Sequence, residues 1–163
     1  MSTAWLSLGS NLDPERHLAE AAVALRARFG EVVFSPVYRT PAVGFEGPDF
    51  LNAAARIDCD LDVHALDAWL HALEDLHGRQ RGGARYSSRT LDIDIVLFDD
   101  LVLQGPGHLQ LPRPELDQAF VLKPLADIAP DLRLPGGGDT LAQRWARHRD
   151  ASSPPAVDKL RLG

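Results

Sequence analysis

Cysteine is nearly absent from this chain, because Cys59 is its one thiol among 163 residues. A single cysteine cannot form a disulfide within the chain, and it cannot supply a zinc site built from several thiolates. The fold must therefore be held together by an ordinary apolar core. A chain of this length can bury roughly 70% of its unfolded surface without such a staple.

Lysine is almost as scarce, since Lys123 and Lys159 are the only two, and the net charge is −6 at pH 7. A net negative protein is a poor general nucleic-acid binder, because neutralising phosphates supplies most of that affinity. We therefore expect no nucleic-acid partner. The positive charge that exists is locally concentrated, since four arginines fall within eleven residues: Arg79, Arg81, Arg85 and Arg89.

Several patterns that mark well-known classes are also missing. The first residues contain no basic segment and no long apolar run, so we expect no signal peptide, no membrane-spanning helix and a cytoplasmic location. No Walker A motif, no G-x-S-x-G and no H-E-x-x-H occurs, and the six histidines show no metal-ligand spacing. Nothing indicates an obligate protein partner or a membrane partner.

The residues that are present indicate one domain over residues 1–150 and a flexible tail over 151–163, which holds two prolines and few core candidates. Apolar periodicity predicts the order β-α-β-β-α-β. This is the split βαβ, ferredoxin-like arrangement of the α+β class, an antiparallel sheet with helices on one face. Further helices are predicted in the C-terminal part, around 120–127 and 141–148.

Local signals set the boundaries of these elements. Asp13 is predicted to cap the first helix, with Pro14 at its first position and Gly30 at its end. Asp62 is predicted to cap the second helix, whose apolar stripe leaves Glu74 on the opposite face with His64, Asp67 and His71. Strands are predicted over residues 4–8, 32–39, 51–59 and 91–98.

The strongest chemical signal is a pair of acids on the last strand, Asp92 and Asp94. Residues i and i+2 of a strand point to the same face, about 7 Å apart at their Cα atoms. Two neighbouring carboxylates repel, and a hard divalent cation such as magnesium offsets that repulsion while sharing its ligands with substrate phosphates. A solvated strand face is the alternative, and the pair alone leaves the two interpretations about even.

The preceding loop, residues 79–89, favours the metal interpretation. Arginine forks suit phosphate oxygens, two adjacent glycines allow the segment to move, and Tyr86 offers a ring for stacking. A basic, mobile loop that leads into paired acids supplies what phosphoryl transfer requires. An exposed solvated loop or an Arg/Gly nucleic-acid segment are the alternatives.

A second loop, between the second and third strands, is long for a hairpin and holds two prolines and two glycines. Long ordered loops are often binding loops. Phe45 and Phe50 are candidates for clamping a flat ring, and Asn52 offers donor and acceptor edges for a heterocycle. An ordinary surface loop with one buried phenylalanine is the alternative.

Together these segments resemble the 6-hydroxymethyl-7,8-dihydropterin pyrophosphokinases of folate synthesis. The resemblance runs from about Thr3 to about Leu134, and five ordered matches make it specific. The matching pieces are Leu8-Gly9-Ser10-Asn11-Leu12, Tyr38-Arg39-Thr40-Pro41, Asp49-Phe50-Leu51-Asn52-Ala53-Ala54, Arg89-Thr90-Leu91-Asp92-Ile93-Asp94-Ile95 and Phe120-Val121-Leu122-Lys123-Pro124-Leu125.

The resemblance implies a reaction and its participants. The pterin hydroxymethyl oxygen attacks the β-phosphorus of ATP, AMP leaves, and two Mg²⁺ ions are held by Asp92 and Asp94. It further implies that Arg79 and Arg89 are catalytic residues acting on the phosphates. The implied pterin-binding residues are Thr40, Pro41, Val43, Phe50, Asn52 and Phe120. The implied ATP-binding residues are Glu74, Arg81, Tyr86, Arg89 and Ile95.

The chain departs from the family pattern at several positions. Tyr86 stands for the usual tryptophan, and Ser87-Ser88 replaces Gly-Pro. Arg113 replaces a phosphate-binding histidine, and Gln118 lies where the family has an arginine before Ala-Phe. We hypothesise that Arg113 contacts the ATP phosphates instead. A slow or altered pterin-binding relative and a ferredoxin-like RNA-binding module are the competing interpretations.

Overall fold

The computed structural model describes residues 1–42, 45–78, 90–104 and 107–163, and within these ranges the chain forms an antiparallel sheet flanked by helices. Its strands are β1 (Ser2–Ser10), β2 (Val33–Phe34), β3 (Tyr38–Thr40), β4 (Phe50–Cys59), β5 (Asp92–Phe98) and β6 (Ala156–Val157). Its helices are α1 (Pro14–Phe29), α2 (Val63–Leu76), α3 (Ala119–Ile128) and α4 (Leu141–Ala146). Among these residues no helix combines the length and apolar character needed to span a bilayer.

The sheet confirms the predicted α+β order. Its strands are arranged β5-β1-β4-β3-β6, and β2 also pairs with β4. The predicted second strand is divided into β2 and β3, because Pro36 lacks the N–H that a continuous ladder needs. Between β2 and β3 the Ser35 hydroxyl accepts a hydrogen bond from the Ala54 amide at 2.8 Å, so this backbone N–H of β4 still has a hydrogen-bond partner.

Both faces of the sheet are covered, because the two helices of the predicted ferredoxin-like core lie on one face and the predicted C-terminal helices lie on the other. On one face Leu6, Ala55 and Ile93 pack with residues of α1 and α2. On the other face Trp5 and Ala54 pack with residues of α3 and α4. The physical reason is the run Ala53-Ala54-Ala55, since consecutive buried residues on a strand point to opposite faces and both must be covered.

The helix boundaries follow the predicted signals with one exception. Asp62 caps α2, its carboxylate accepting from the Ala65 amide at 2.8 Å, and Pro14 is the first residue of α1. Asp13, however, does not cap α1 with its side chain. Its backbone is left-handed, with φ of 49°, and its carboxylate pairs with Arg16 at 2.6 Å instead.

The C-terminal segment, predicted as a flexible tail over 151–163, lies against the domain in the structure. Its strand β6 pairs with Tyr38 and Arg39 of β3, and Arg39 forms an ion pair with Asp158 at 3.0 Å. Leu162 is 6% exposed and packs in the apolar core on the face of the sheet covered by α1 and α2. The Arg26 guanidinium donates a hydrogen bond to the Leu162 carbonyl. Prolines 154 and 155 precede the paired residues, so they do not interrupt the ladder.

Candidate active site

The two acids singled out in the sequence lie on one face of β5, at the edge of the sheet. Asp92 pairs with Gly9 of β1 and Asp94 pairs with Ser7, while Ile93 between them is buried on the other face. All four polar or small positions line a cavity of about 550 Å³. The alternation of the strand therefore delivers two carboxylates side by side into one concave space.

The electrostatics of this pair favour a bound cation. The pKa of Asp94 is raised well above its usual value, first by burial and then by the charge of Asp92. Arg113 opposes the rise, since its Nη2 lies 3.3 Å from Asp94 Oδ1. Two crowded carboxyl groups with all-oxygen donors match the preference of Mg²⁺, so the residues present fit the metal that the sequence suggested.

Arg113 is positioned by the strand beside it. Its amide donates to the Val96 carbonyl at 3.0 Å, which fixes the backbone next to β5. Its guanidinium points into the cavity and bridges Asp94 and Glu115, each at 3.3 Å. The prolines on both sides restrict the backbone further. The positively charged Arg113 guanidinium is therefore held in the acid-lined part of the cavity.

A group of residues suited to a flat heterocycle lines another part of the same cavity. The Asn52 amide donates to the Thr40 hydroxyl at 2.7 Å, joining β4 to β3 at the cavity wall. The rings of Phe45 and Phe50 meet edge to face with centroids 6.4 Å apart. The other predicted pterin residues described here, Pro41 and Phe120, also line the cavity.

Gly9 admits this arrangement because it has no side chain. It lies opposite Asn52 on one side and Asp92 on the other, in the middle of the sheet. A Cβ atom at this position would approach Asn52 Oδ1 to 3.0 Å, closer than side chains normally tolerate. The glycine therefore allows the Asn52 amide to lie across β1 inside the cavity.

Two predicted nucleotide residues lie outside the cavity lining. The sequence placed Glu74 on the exposed face of α2, which is wrong. Glu74 is 2% exposed, because positions 66, 70, 73 and 74 fall on one helical face, and its Oε2 accepts from the Ile93 amide at 2.8 Å. The Ile95 side chain is buried in the core on the face opposite Asp94. Glu74 therefore links α2 to β5 through the Ile93 amide.

Five of the predicted residues fall outside the described ranges: Val43, Arg79, Arg81, Tyr86 and Arg89. Conversely, the structure adds cavity residues that sequence reasoning missed. They include Ser7, Arg39, Glu115, Arg149, Asp150 and Ser153. The last three come from the segment after α4, and no local motif marks them, because their position depends on how β6 pairs with β3.

Comparison with protein families identifies a match over residues 5–130 to the family described as 7,8-dihydro-6-hydroxymethylpterin-pyrophosphokinase (HPPK). A Pseudomonas aeruginosa protein named 2-amino-4-hydroxy-6-hydroxymethyldihydropteridine pyrophosphokinase is 42% identical over 139 residues, covering 82% of this chain and 84% of that protein. Proteins of the same name from Methylorubrum extorquens and Haemophilus influenzae are 40% and 33% identical, covering 90% and 91% of this chain and 94% and 96% of theirs.

Solved structures agree on the fold. The crystal structure of Plasmodium falciparum HPPK-DHPS with SDX-DHP superposes with a TM-score of 0.69 at 13% identity, over 94% of this chain and 45% of that one. The wild-type Plasmodium falciparum HPPK-DHPS gives 0.71 at 12% identity, over 97% and 47%. This chain therefore spans just under half of those longer chains, and at such identity the likeness concerns the fold.

Proposed function

Because the chain belongs to the 7,8-dihydro-6-hydroxymethylpterin-pyrophosphokinase family, we propose that it transfers pyrophosphate from ATP to the hydroxymethyl oxygen of 6-hydroxymethyl-7,8-dihydropterin. The observation that carries this proposal is the composition of one cavity. Asp92 and Asp94 lie at one part of it, and Asn52 with the aromatic residues at another. A metal-phosphate site and a heterocycle site thus share one space, as a transfer between two substrates requires.

In this proposal Asp92 and Asp94 hold two Mg²⁺ ions with the nucleotide. Magnesium held there would offset the negative charge of the phosphate oxygens and help orient the group to be transferred. The fit rests on the crowding of the two carboxyl groups and the raised pKa of Asp94. Neutral side chains of similar shape at these positions would remove that affinity.

The pterin is proposed to lie between the aromatic rings and the Asn52 amide. Phe50 and Phe120 offer apolar faces for stacking, and Thr40 holds the amide in one orientation through the 2.7 Å hydrogen bond. Pro41 and Val43 complete the pterin residues of the proposal. A fixed ring would direct its hydroxymethyl group at the β-phosphorus, where an O–P bond forms as the bond to the AMP oxygen breaks.

The remaining cations are proposed to act on the triphosphate. Arg113 is the member of this group that the described residues include, and its guanidinium already lies in the cavity. Arg79, Arg81 and Arg89 are assigned by family resemblance, as are stacking by Tyr86 and nucleotide contacts by Glu74 and Ile95. For Ile95 the buried side chain leaves the backbone as the contacting group.

Metal removal tests the proposal. Turnover with ATP and the pterin should cease in EDTA and return when Mg²⁺ is restored. In Asp92→Asn it should stay at least roughly a thousandfold below wild type even at high Mg²⁺, since metal stabilisation of the transition state amounts to several kcal/mol. Asp100→Asn is the matched control, an exposed acid in the turn after β5. Metal-independent turnover, or near-normal turnover in Asp92→Asn, would contradict the assignment.

A further inference from the structure

A second group of potential metal ligands lies on α2, away from the paired acids. Asp67 and His71 are one turn apart on the helix, and His108 comes from the segment that follows β5. His108 Nε2 lies 2.7 Å from one carboxylate oxygen of Asp67, and His71 Nε2 lies 3.6 Å from the other. The three ligand atoms all lie within 4.8 Å of one another.

We propose that Asp67, His71 and His108 form a binding site for Zn²⁺. Two imidazole nitrogens and a carboxylate oxygen are donors that zinc binds at about 2.0–2.2 Å, whereas magnesium prefers oxygen alone. Tetrahedral bonds of that length separate the donors by roughly 3.3 Å. The two imidazole–carboxylate distances in the structure, 2.7 and 3.6 Å, run to the two different oxygens of Asp67 and lie on either side of this value.

The surroundings allow the small adjustment that binding needs. The His108 side chain is 65% exposed and Asp67 is 17% exposed, so one ligand can change rotamer while the carboxylate stays anchored on the helix. The His71 and His108 rings are already close, with centroids 5.0 Å apart and planes tilted by 30°. In the part of the chain that is described, the nitrogen groups in contact with the Asp67 carboxylate are these two imidazoles.

A second cluster of similar composition lacks these properties. In the group His17, Glu20 and His77, the two Nδ1 atoms lie 2.6 Å apart and form a hydrogen bond with each other. The Arg16 guanidinium lies 3.3 Å from His17 Nε2, which places a positive charge against that imidazole. In that cluster the two imidazoles are hydrogen-bonded to each other and one of them contacts the Arg16 guanidinium. We therefore place the zinc site at Asp67, His71 and His108.

Zinc at this site would attach the segment containing His108 to α2. That segment continues through the buried Leu109 to Leu111, which forms an isolated antiparallel β-bridge with Leu103. Two residues later it reaches Arg113 in the cavity. A metal bound at His108 would therefore brace the segment that carries Arg113.

The test is a calorimetric titration of metal-free, untagged protein with ZnCl₂ at neutral pH, without ATP or pterin, so its outcome is independent of the proposed reaction. We expect one equivalent to bind and to raise Tm, while MgCl₂ at the same concentration does neither at this site. His108→Ala should weaken zinc binding roughly tenfold or more, because even the loss of an outer hydrogen-bond partner weakens metal sites by that factor. It should also abolish the zinc-dependent rise in Tm.

Two further variants make the result decisive. His64→Ala removes an exposed histidine from the same helix and should bind zinc as the wild type does. His77→Gln removes a ligand of the other cluster and should also leave zinc binding intact. The proposal is overturned if no stoichiometric zinc binding occurs, if His108→Ala binds as tightly as the wild type, or if His77→Gln rather than His108→Ala loses it.

Discussion

The Arg113 guanidinium lies 3.3 Å from Asp94 Oδ1, so one of the two proposed metal-binding carboxylates already has a cation against it. The same guanidinium lies 3.3 Å from Glu115 Oε2. A metal that binds Asp94 must compete with Arg113 for the carboxylate. When a nucleotide is bound, its phosphates can accept hydrogen bonds from the displaced guanidinium.

Replacing Arg113 should therefore change the affinities for metal and nucleotide in opposite directions. Arg113→Ala should bind Mg²⁺ more tightly than wild type in the absence of ATP, since the competing cation is gone. It should bind ATP about tenfold to hundredfold more weakly, because a hydrogen bond to a charged group contributes roughly 1.5–3 kcal/mol. Separate calorimetric titrations with Mg²⁺ and with ATP measure both effects.

Arg147→Ala is the matched control for this pair of titrations, because Arg147 is exposed and pairs with Asp139 away from the cavity. It should leave both affinities unchanged. Equal Mg²⁺ and ATP affinities in Arg113→Ala and wild type would mean that the phosphates are held elsewhere.

Gly9 gives a prediction about the pterin part of the cavity. Gly9→Ala would place a Cβ 3.0 Å from Asn52 Oδ1 and so push the amide away from its hydrogen bond to Thr40. We expect pterin affinity to fall roughly threefold to tenfold, the range that loss of one neutral hydrogen bond of about 0.5–1.5 kcal/mol produces, with Mg²⁺ affinity retained.

Gly163→Ala is the control, since its Cβ would meet Phe34 at an ordinary 3.8 Å. A pterin titration followed by fluorescence compares the two variants with wild type. Unaltered pterin affinity in Gly9→Ala would remove Asn52 from the binding site.

The raised pKa of Asp94 predicts a conflict between stability and function. In the folded protein this carboxyl keeps its proton to a higher pH than in the unfolded chain, where its pKa has the ordinary value of 3.8. As pH rises through 3.8 toward the raised pKa, the folded state is progressively penalised. Asp94→Asn removes this penalty, so without metal its Tm should exceed that of wild type near neutral pH.

The advantage of Asp94→Asn should disappear below about pH 4, where both chains are neutral at this position. Each kcal/mol of relief raises Tm by about 2–4 °C for a chain of this size. Thermal melts of both proteins in EDTA across this pH range measure the difference, and the same variant should have lost turnover. A Tm difference that does not change with pH would contradict a raised pKa for Asp94 in the folded protein.

The sequence anticipated those parts of the site that depend on local patterns. The shared strand face of Asp92 and Asp94 was predicted from the two-residue period of a strand. The capping role of Asp62 was predicted from its position before an apolar helical stripe. Glu74 was misplaced because its face was judged from the apolar stripe alone, although it follows Leu70 by four residues and ends buried against β5. His108 and Arg149 could not be placed, because their neighbours are set by tertiary packing rather than by nearby residues.

The most direct measurement is the identity of the nucleotide product. Purified protein, magnesium-ATP and 6-hydroxymethyl-7,8-dihydropterin are incubated, and nucleotides and pterins are separated by chromatography and mass spectrometry. We predict AMP in equal amount to a pterin carrying two phosphates, and no product when the pterin is omitted. ADP with a singly phosphorylated pterin would contradict it, as would binding of both substrates with no product.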